Sequence, residues 1–211
     1  MSEPVKIYLV RHGETDLNRD KRFRGHSDVP LNEDGVLQAA GAARMLKLAD
    51  VTNIYTSPIR RSVETATAIA VVTGARMETD DDFVDIDYGE WQGLTVEEAR
   101  RKNAGEYEAW ERDPGSFTFP GGDSIAAVTD RLRPAFARLV EREHEGPFAV
   151  VSHLAVLKLC FTVLMDVSAD YFWRVGLENG AVSLFTYQPE TGYTLESWNQ
   201  PPFSAAGGVA S

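Results

Sequence analysis

The apolar run Val5 to Val10 is followed directly by Arg11-His12-Gly13-Glu14-Thr15. A run of this kind reads as a strand, and its carboxyl end is where open α/β sheets bind ligands. A second such ending lies far downstream, where Phe148-Ala149-Val150-Val151-Ser152 leads into His153 and another apolar stretch. An arginine beside a histidine suits phosphoryl chemistry. A phosphate monoester dianion repels nucleophiles, so its pocket must supply fixed cations, and Arg11 offers a planar, charged fork. His12 can then attack phosphorus through a neutral ring nitrogen. Attack requires one tautomer, which a hydrogen bond from the other ring nitrogen to a backbone carbonyl would set, and Gly13 lets the chain turn tightly enough to offer that carbonyl. Taken alone, Arg-His-Gly fits equally well a histidine packed at a strand end.

Two further blocks narrow the reading. In Tyr55-Thr56-Ser57-Pro58-Ile59-Arg60-Arg61-Ser62 a short strand runs into a helix. Ser57 is the expected N-cap and Pro58 the first helical residue, which places an arginine in the first turn beside the same sheet edge. The other block is Asp85-Ile86-Asp87-Tyr88-Gly89-Glu90-Trp91-Gln92-Gly93. These four blocks, in this order, resemble the histidine phosphatase superfamily, which includes the cofactor-dependent phosphoglycerate mutases; the likeness extends from Lys6 to about Asn199. The resemblance implies that His12 is the phosphorylated nucleophile, with Arg11, Arg61 and His153 around the phosphoryl oxygens. Asn18 matches a further phosphate-contacting position, and Arg60 a surface neighbour.

The chain departs from the family pattern at three places. Asp85 stands where a glutamate is usual as proton donor to the leaving oxygen. It is one methylene shorter and more acidic, about 3.9 against about 4.3 in reference peptides, so its neighbours must hold the proton on. Asp81, Asp82 and Asp87 would raise it if they are close. Leu154 follows the second histidine in place of glycine and narrows the pocket, although its backbone N–H at the helix start can still face a phosphate. Arg24, in Arg22-Phe23-Arg24-Gly25-His26, replaces a common glutamine. Arg22, Arg24 and His26 are either solvated surface charge or contacts for a second anionic group. Arg24, Gly25 and Leu154 are therefore the expected substrate-binding additions to Asn18.

Composition limits the alternatives. A chain of 211 residues, 43% hydrophobic, can bury a substantial core as one domain, expected over residues 1–199. A net charge of −11 argues against nucleic acid and anionic membrane as partners. There is no G-x-x-x-x-G-K-[ST], no G-x-G-x-x-G and no H-E-x-x-H, so no metal and no cofactor are expected. The lone Cys160 reads as a buried, inert thiol, and the apolar stretch around it is shorter than the roughly 20 residues of a membrane span. Met1-Ser2-Glu3-Pro4 lacks the pattern of a signal peptide, which makes a cytoplasmic location the default. The expected partner is a small phosphorylated substrate, and a homodimer stays open.

The elements that must position these residues alternate as in a three-layer α/β sandwich with a mostly parallel central sheet flanked by helices. Strands are expected at 5–10, 53–56, 76–78, before His153, at 181–187 and at 193–198. Helices are expected from about Asn32 to Leu48, Pro58 to Thr73 stopped by Gly74, and near Ser124 onward, where Ile125, Val128, Leu132, Phe136 and Leu139 form a core stripe bent at Pro134. Thr95-Val96-Glu97-Glu98 matches a capping box and opens a helical excursion, 95–122, over the site, packed through Trp110. Gly121-Gly122-Asp123-Ser124 reads as an N-cap region, and 200–211 as a mobile tail. The chain thus reads as a metal-independent phosphomonoester hydrolase working through phosphohistidine. The alternatives are a cofactor-dependent phosphoglycerate mutase, or a phosphate-binding scaffold that has lost turnover.

Overall fold

The structure is a computed structural model and describes residues 3–143 and 146–203. Six strands form one sheet in the order β3-β2-β4-β1-β5-β6, with β1 Val5–Arg11, β2 Asn53–Thr56, β3 Arg76–Thr79, β4 Phe148–Ser152, β5 Val182–Gln188 and β6 Gly192–Gln200. The pairings β3·β2, β2·β4 and β4·β1 are parallel, whereas β1·β5 and β5·β6 are antiparallel. Parallel neighbours need crossovers, and helices supply them on both faces.

Alternation along the strands assigns the two faces. Ile7, Leu9, Tyr55, Phe148, Val150 and Phe185 face a core shared with α6 (Ile125–Arg142) and α7 (Leu154–Leu164). Val10, Ile54, Ala149, Val151 and Val182 face the other way, onto α2 (Glu33–Leu48) and α3 (Arg60–Thr73). Ala39, Ala42, Ala43 and Leu46 make the buried stripe of α2, and small residues let it lie close to α3. In α6 all five expected core positions are buried, Ser124 is the N-cap, and the helix continues through an exposed Pro134.

The excursion is two helices, α4 (Val96–Lys102) and α5 (Ala104–Arg112), divided at Asn103; the expected capping box on Thr95 and Glu98 is present. A four-residue helix, α1 (Asp16–Arg19), precedes α2. Beneath the excursion, Trp91, Tyr107, Trp110, Phe117 and Phe119 form an aromatic cluster, with Trp91 and Tyr107 stacked 5.5 Å apart.

Two expectations need correction. Ser57 is not the cap of α3: the helix begins after Ile59, which makes no side-chain cap bond, and Pro58 lies outside it. The Ser57 hydroxyl is directed to His153 instead. The expected mobile tail begins too early, because β6 runs to Gln200 and the Phe203 carbonyl accepts from Arg44 of α2 at 2.6 Å. The rest of that tail, 204–211, lies outside the described residues.

One close approach fixes the loop after β1. A Cβ on Gly13 would stand 2.3 Å from the Gly35 carbonyl oxygen, and one on Gly35 would stand 2.1 Å from that of Glu14. Gly35 lies in the first turn of α2, where helix propensity alone favours alanine by about 1 kcal/mol. We expect the contact to win, so that Gly35→Ala destabilises the protein by about 1–3 kcal/mol in thermal or urea unfolding. A variant as stable as the parent would show that the loop is free to move aside.

Candidate active site

Parallel register brings three strand ends to one level. Arg11 pairs with Ser152 and Thr56 with Val151, so His12, Ser57 and His153 emerge side by side. Backbone bonds continue the ladder past the strands, from His12 N to Ser152 O and from Ser57 N to Val151 O, both 3.0 Å. The His12 and His153 rings lie 5.2 Å apart. Arg61 enters from the first turn of α3, Asp85 from the loop after Phe83, and Arg24 from the loop before α2.

Donor and acceptor chemistry fixes both tautomers. His12 Nδ1 lies 2.6 Å from the Gly13 carbonyl oxygen. An oxygen of that kind only accepts, so Nδ1 carries the proton and Nε2 keeps its lone pair. This is the bond expected from the sequence, although Gly13 is required for its contact with Gly35 and not for an unusual φ. The Nε2 atom is buried without a hydrogen-bond partner among the described residues. His153 has the opposite arrangement. Arg61 Nε donates to its Nδ1 at 3.2 Å, and Nε2–H donates to Ser57 Oγ at 2.7 Å.

Burial sets the electrostatics. His12 and His153 are held well below the ordinary histidine range, first by loss of solvation and then by the charge of Arg61. Both rings are therefore neutral at physiological pH. Arg11 is 7% exposed; burial, aided by Arg24, lowers its pKa to about 9, which leaves it cationic. Its Nη1 donates to the Leu177 carbonyl.

Arg61 is wholly buried and joins four segments: Nη2 donates to Asp85 Oδ2 and Gly25 O, each at 2.8 Å, Nη1 to Ser27 O at 2.9 Å, and Nε to His153. Gly25 adopts a φ of +47° and presents that carbonyl, so its place in the site is through the backbone. Arg60 is exposed and paired with Glu64, as expected.

Asp85 is buried at 2% exposure, with Oδ1 accepting from Ile86 N and Oδ2 from Arg61. Burial raises its pKa, while Arg61 and Arg24 oppose the rise. The acidic neighbours proposed from sequence are not the cause. Asp81 is exposed, Asp82 is turned to Arg138 at 2.9 Å, and Asp87 accepts from Gly89 N.

A cavity of about 440 Å³ adjoins this cluster. Arg11, Arg24, Asn18 and Leu154 line it, whereas His12, Arg61, Asp85 and His153 are not among its lining residues. Asn18 Oδ1 is occupied by Thr15 N and Oγ1 in a capping box, leaving the amide NH₂ as its group for a ligand. Arg22 also borders the cavity but is paired with Glu98 and Asp20, and the ring of His26 donates to the Asp85 carbonyl. Of the three basic residues of that segment, only Arg24 acts electrostatically on both histidines.

Sequence reasoning missed Ser57, which holds His153, and Thr65, whose hydroxyl accepts from Gly13 N at 3.1 Å. It passed over Lys158 on the cavity wall, although a single cation in the apolar stretch Leu154 to Met165 was a signal to read. A larger cavity, about 660 Å³ between Val5, Phe136, Val163 and Tyr193, has no histidine in its lining. Among the described residues no group of acidic, histidine or cysteine side chains is arranged to hold a metal, and no helix is long and apolar enough to cross a membrane.

Comparison with known proteins agrees with this geometry. The chain is 32% identical over 180 residues to phosphoserine phosphatase 1 of Hydrogenobacter thermophilus, covering 85% of each protein. It is 29% identical over 198 residues to a Salmonella choleraesuis protein named "Probable phosphoglycerate mutase GpmB", covering 92% of this chain and 90% of that one. It spans 54% of the length of three mycobacterial relatives. Among solved structures, a mycobacterial glucosyl-3-phosphoglycerate phosphatase with bound VO3 superposes with a TM-score of 0.85 at 28% identity, over 92% of this chain and 98% of that one. A model of the histidine phosphatase superfamily (branch 1) matches residues 7–201. With the two strand-end histidines and the buried arginines already in place, this match makes the chain a member of that superfamily.

Proposed function

We propose that the protein is a metal-independent phosphomonoester hydrolase that acts on a small phosphorylated metabolite through a phosphohistidine. The observation that carries the reading is the state of His12: Nδ1–H is committed to Gly13 O, and the unprotonated Nε2 is left among Arg11, Arg24 and Arg61. In the first step the Nε2 lone pair forms a bond to phosphorus while the bond to the ester oxygen breaks. Asp85 gives its proton to that oxygen, so the alcohol departs neutral. In the second step Asp85, now a carboxylate, takes a proton from water as the water oxygen displaces Nε2 from phosphorus. Phosphate leaves, and His12 and Asp85 regain their starting forms. The cations stabilise the charge spread over the equatorial oxygens, the main contribution that a protein makes to phosphoryl transfer.

Brief incubation with labelled substrate, quenched without acid, should leave phosphate on His12 that is stable to alkali and lost in acid. The same label on a His12→Ala protein would exclude this nucleophile.

The role of Asp85 is separable because leaving groups differ in their need for a proton. Asp85→Asn should slow hydrolysis of alkyl phosphates about 10²- to 10⁴-fold more than that of p-nitrophenyl phosphate. The sign of the pH dependence follows from the raised pKa of Asp85. The acid form is lost as pH rises, so alkyl ester turnover should fall on the alkaline side, and this limb should be absent with p-nitrophenyl phosphate. Equal slowing of both esters by Asp85→Asn would place the proton donor elsewhere.

The mutase-named relative favours a second reading, phosphoglycerate isomerisation. A mutase must retain a bisphosphorylated intermediate while it reorients. The cover here is short; within it Arg100 is paired with Glu111 at 2.6 Å, and Glu98 is held by the Thr95 cap and by Arg22. We therefore expect that, with 3-phosphoglycerate and a trace of 2,3-bisphosphoglycerate, free phosphate forms faster than the isomer. Isomerisation outrunning release would establish the mutase.

A further inference from the structure

We propose that Lys158 determines specificity by binding a carboxylate carried on the leaving group of the phosphomonoester. The proposal rests on the hydrolase reading above and names the substrate class of that same site. Lys158 lies in α7, five residues after His153 and one helical turn after Leu154, so Leu154 and Lys158 present the same face to the cavity. The residue is only 8% exposed. A buried ammonium normally has a carboxylate partner, yet no hydrogen bond or ion pair joins Lys158 to any described residue.

Its surroundings substitute for one only in part. Nζ stands 4.8 Å from the ring centroid of Phe172 and 5.4 Å from that of Trp173. Ring faces attract a cation without neutralising it. The acidic side chain on the cavity wall, Glu14, is already engaged by Arg19 at 3.1 Å and by the Asn32 amide at 2.8 Å. Burial and the charge of Arg11 lower the pKa of Lys158 to about 8, the response of a cation that lacks an anion. Lys158 and Arg11 thus lie close enough to repel one another, and a ligand with two anionic ends relieves both.

The chemistry of the second end follows from charge and solvation. One ammonium against two aromatic faces matches a single negative charge; a phosphate dianion at that end would need a second cation beside Lys158, where Phe172 and Trp173 supply none. A carboxylate also accepts several hydrogen bonds from one –NH₃⁺. The apolar part of the wall, which includes Leu154, Trp110 and Phe172, suits the carbon frame between the two anions.

Two ester pairs isolate the carboxylate. 3-Phosphoglycerate and glycerol 3-phosphate differ by that group, as do O-phosphoserine and phosphoethanolamine. In each pair the parent protein should favour the carboxylated member by about 10- to 100-fold in kcat/KM, the scale of a hydrogen bond to a charged group. Lys158→Met and Lys158→Gln should bring the ratio close to one, and Lys158→Arg should keep a preference of the same sign. Equal treatment of both members by the parent, a ratio that survives both neutral variants, or an equal loss in Lys158→Arg would overturn the assignment.

Hydrolysis of p-nitrophenyl phosphate, which bears no carboxylate, reports separately on the hydrolase reading. If no ester is turned over, that reading fails, and calorimetric binding of the same four esters to His12→Ala protein still decides the role of Lys158. The carboxylated members should bind about tenfold or more tightly, with the difference lost in the His12→Ala/Lys158→Met double variant. Equal affinities there would likewise overturn it.

Discussion

A guanidinium with no exposure to water holds this site together. Arg61 cannot be buried unless acceptors surround it, and they arrive from three separate places: Asp85 from the loop after β3, Gly25 and Ser27 from the loop after α1, and His153 from the end of β4. Breaking a buried charge pair typically costs about 3–5 kcal/mol, because the charge that remains has no compensation. The geometry around Arg61 is therefore kept by the cost of every alternative. The other supports reinforce it. Ser152 Oγ donates to Phe83 O at 2.8 Å, and Arg131 donates to the carbonyls of Asp82 and Val84, so the segment leading to Asp85 is fixed on both sides.

The same concentration of positive charge governs the histidines. Three arginines around two buried imidazoles make protonation of either ring costly, so both stay neutral, and each is then defined by its hydrogen bonds. Opposite tautomers result, with the lone pair on Nε2 in His12 and on Nδ1 in His153. The acid of the site experiences the opposing influences. Burial favours a protonated Asp85, and the arginines favour a carboxylate. A residue in that balance is suited to giving up a proton in one step and taking one back in the next.

Much of this was legible in the sequence, for physical reasons that differ by element. Strand ends and helix caps are local properties: Val5 to Val10, Asn32 before Glu33, Ser124 before Ile125 and Gly74 after Thr73 carry their own signals. Four motif blocks located His12, Arg61, Asp85 and His153, which the fold gathers in one cluster. What escaped depends on contacts between distant segments. Ser57 looks like a cap because serine before proline commonly is one, and only the position of His153 on the neighbouring strand redirects its hydroxyl. Asp82 looks like a neighbour of Asp85 along the chain, but Arg138, on a helix more than fifty residues away in sequence, draws it off. Lys158 is visible as a misplaced charge, and its aromatic surroundings come from residues that lie beyond the helix altogether.

The cavity and the reacting cluster share Arg11 and Arg24, but much of the cavity wall comes from other parts of the chain. His12, Ser57 and His153 stand on the sheet edge and Arg61 on the first turn of α3, whereas Val96, Tyr107, Trp110, Phe172 and Trp173 of the cavity wall come from the excursion and from the short helix Ala169–Arg174. Substitutions in those covering segments can reshape the chamber without disturbing a strand, a tautomer or the buried guanidinium. Such an architecture separates the inheritance of a reaction from the acquisition of a substrate, and each can change at its own pace.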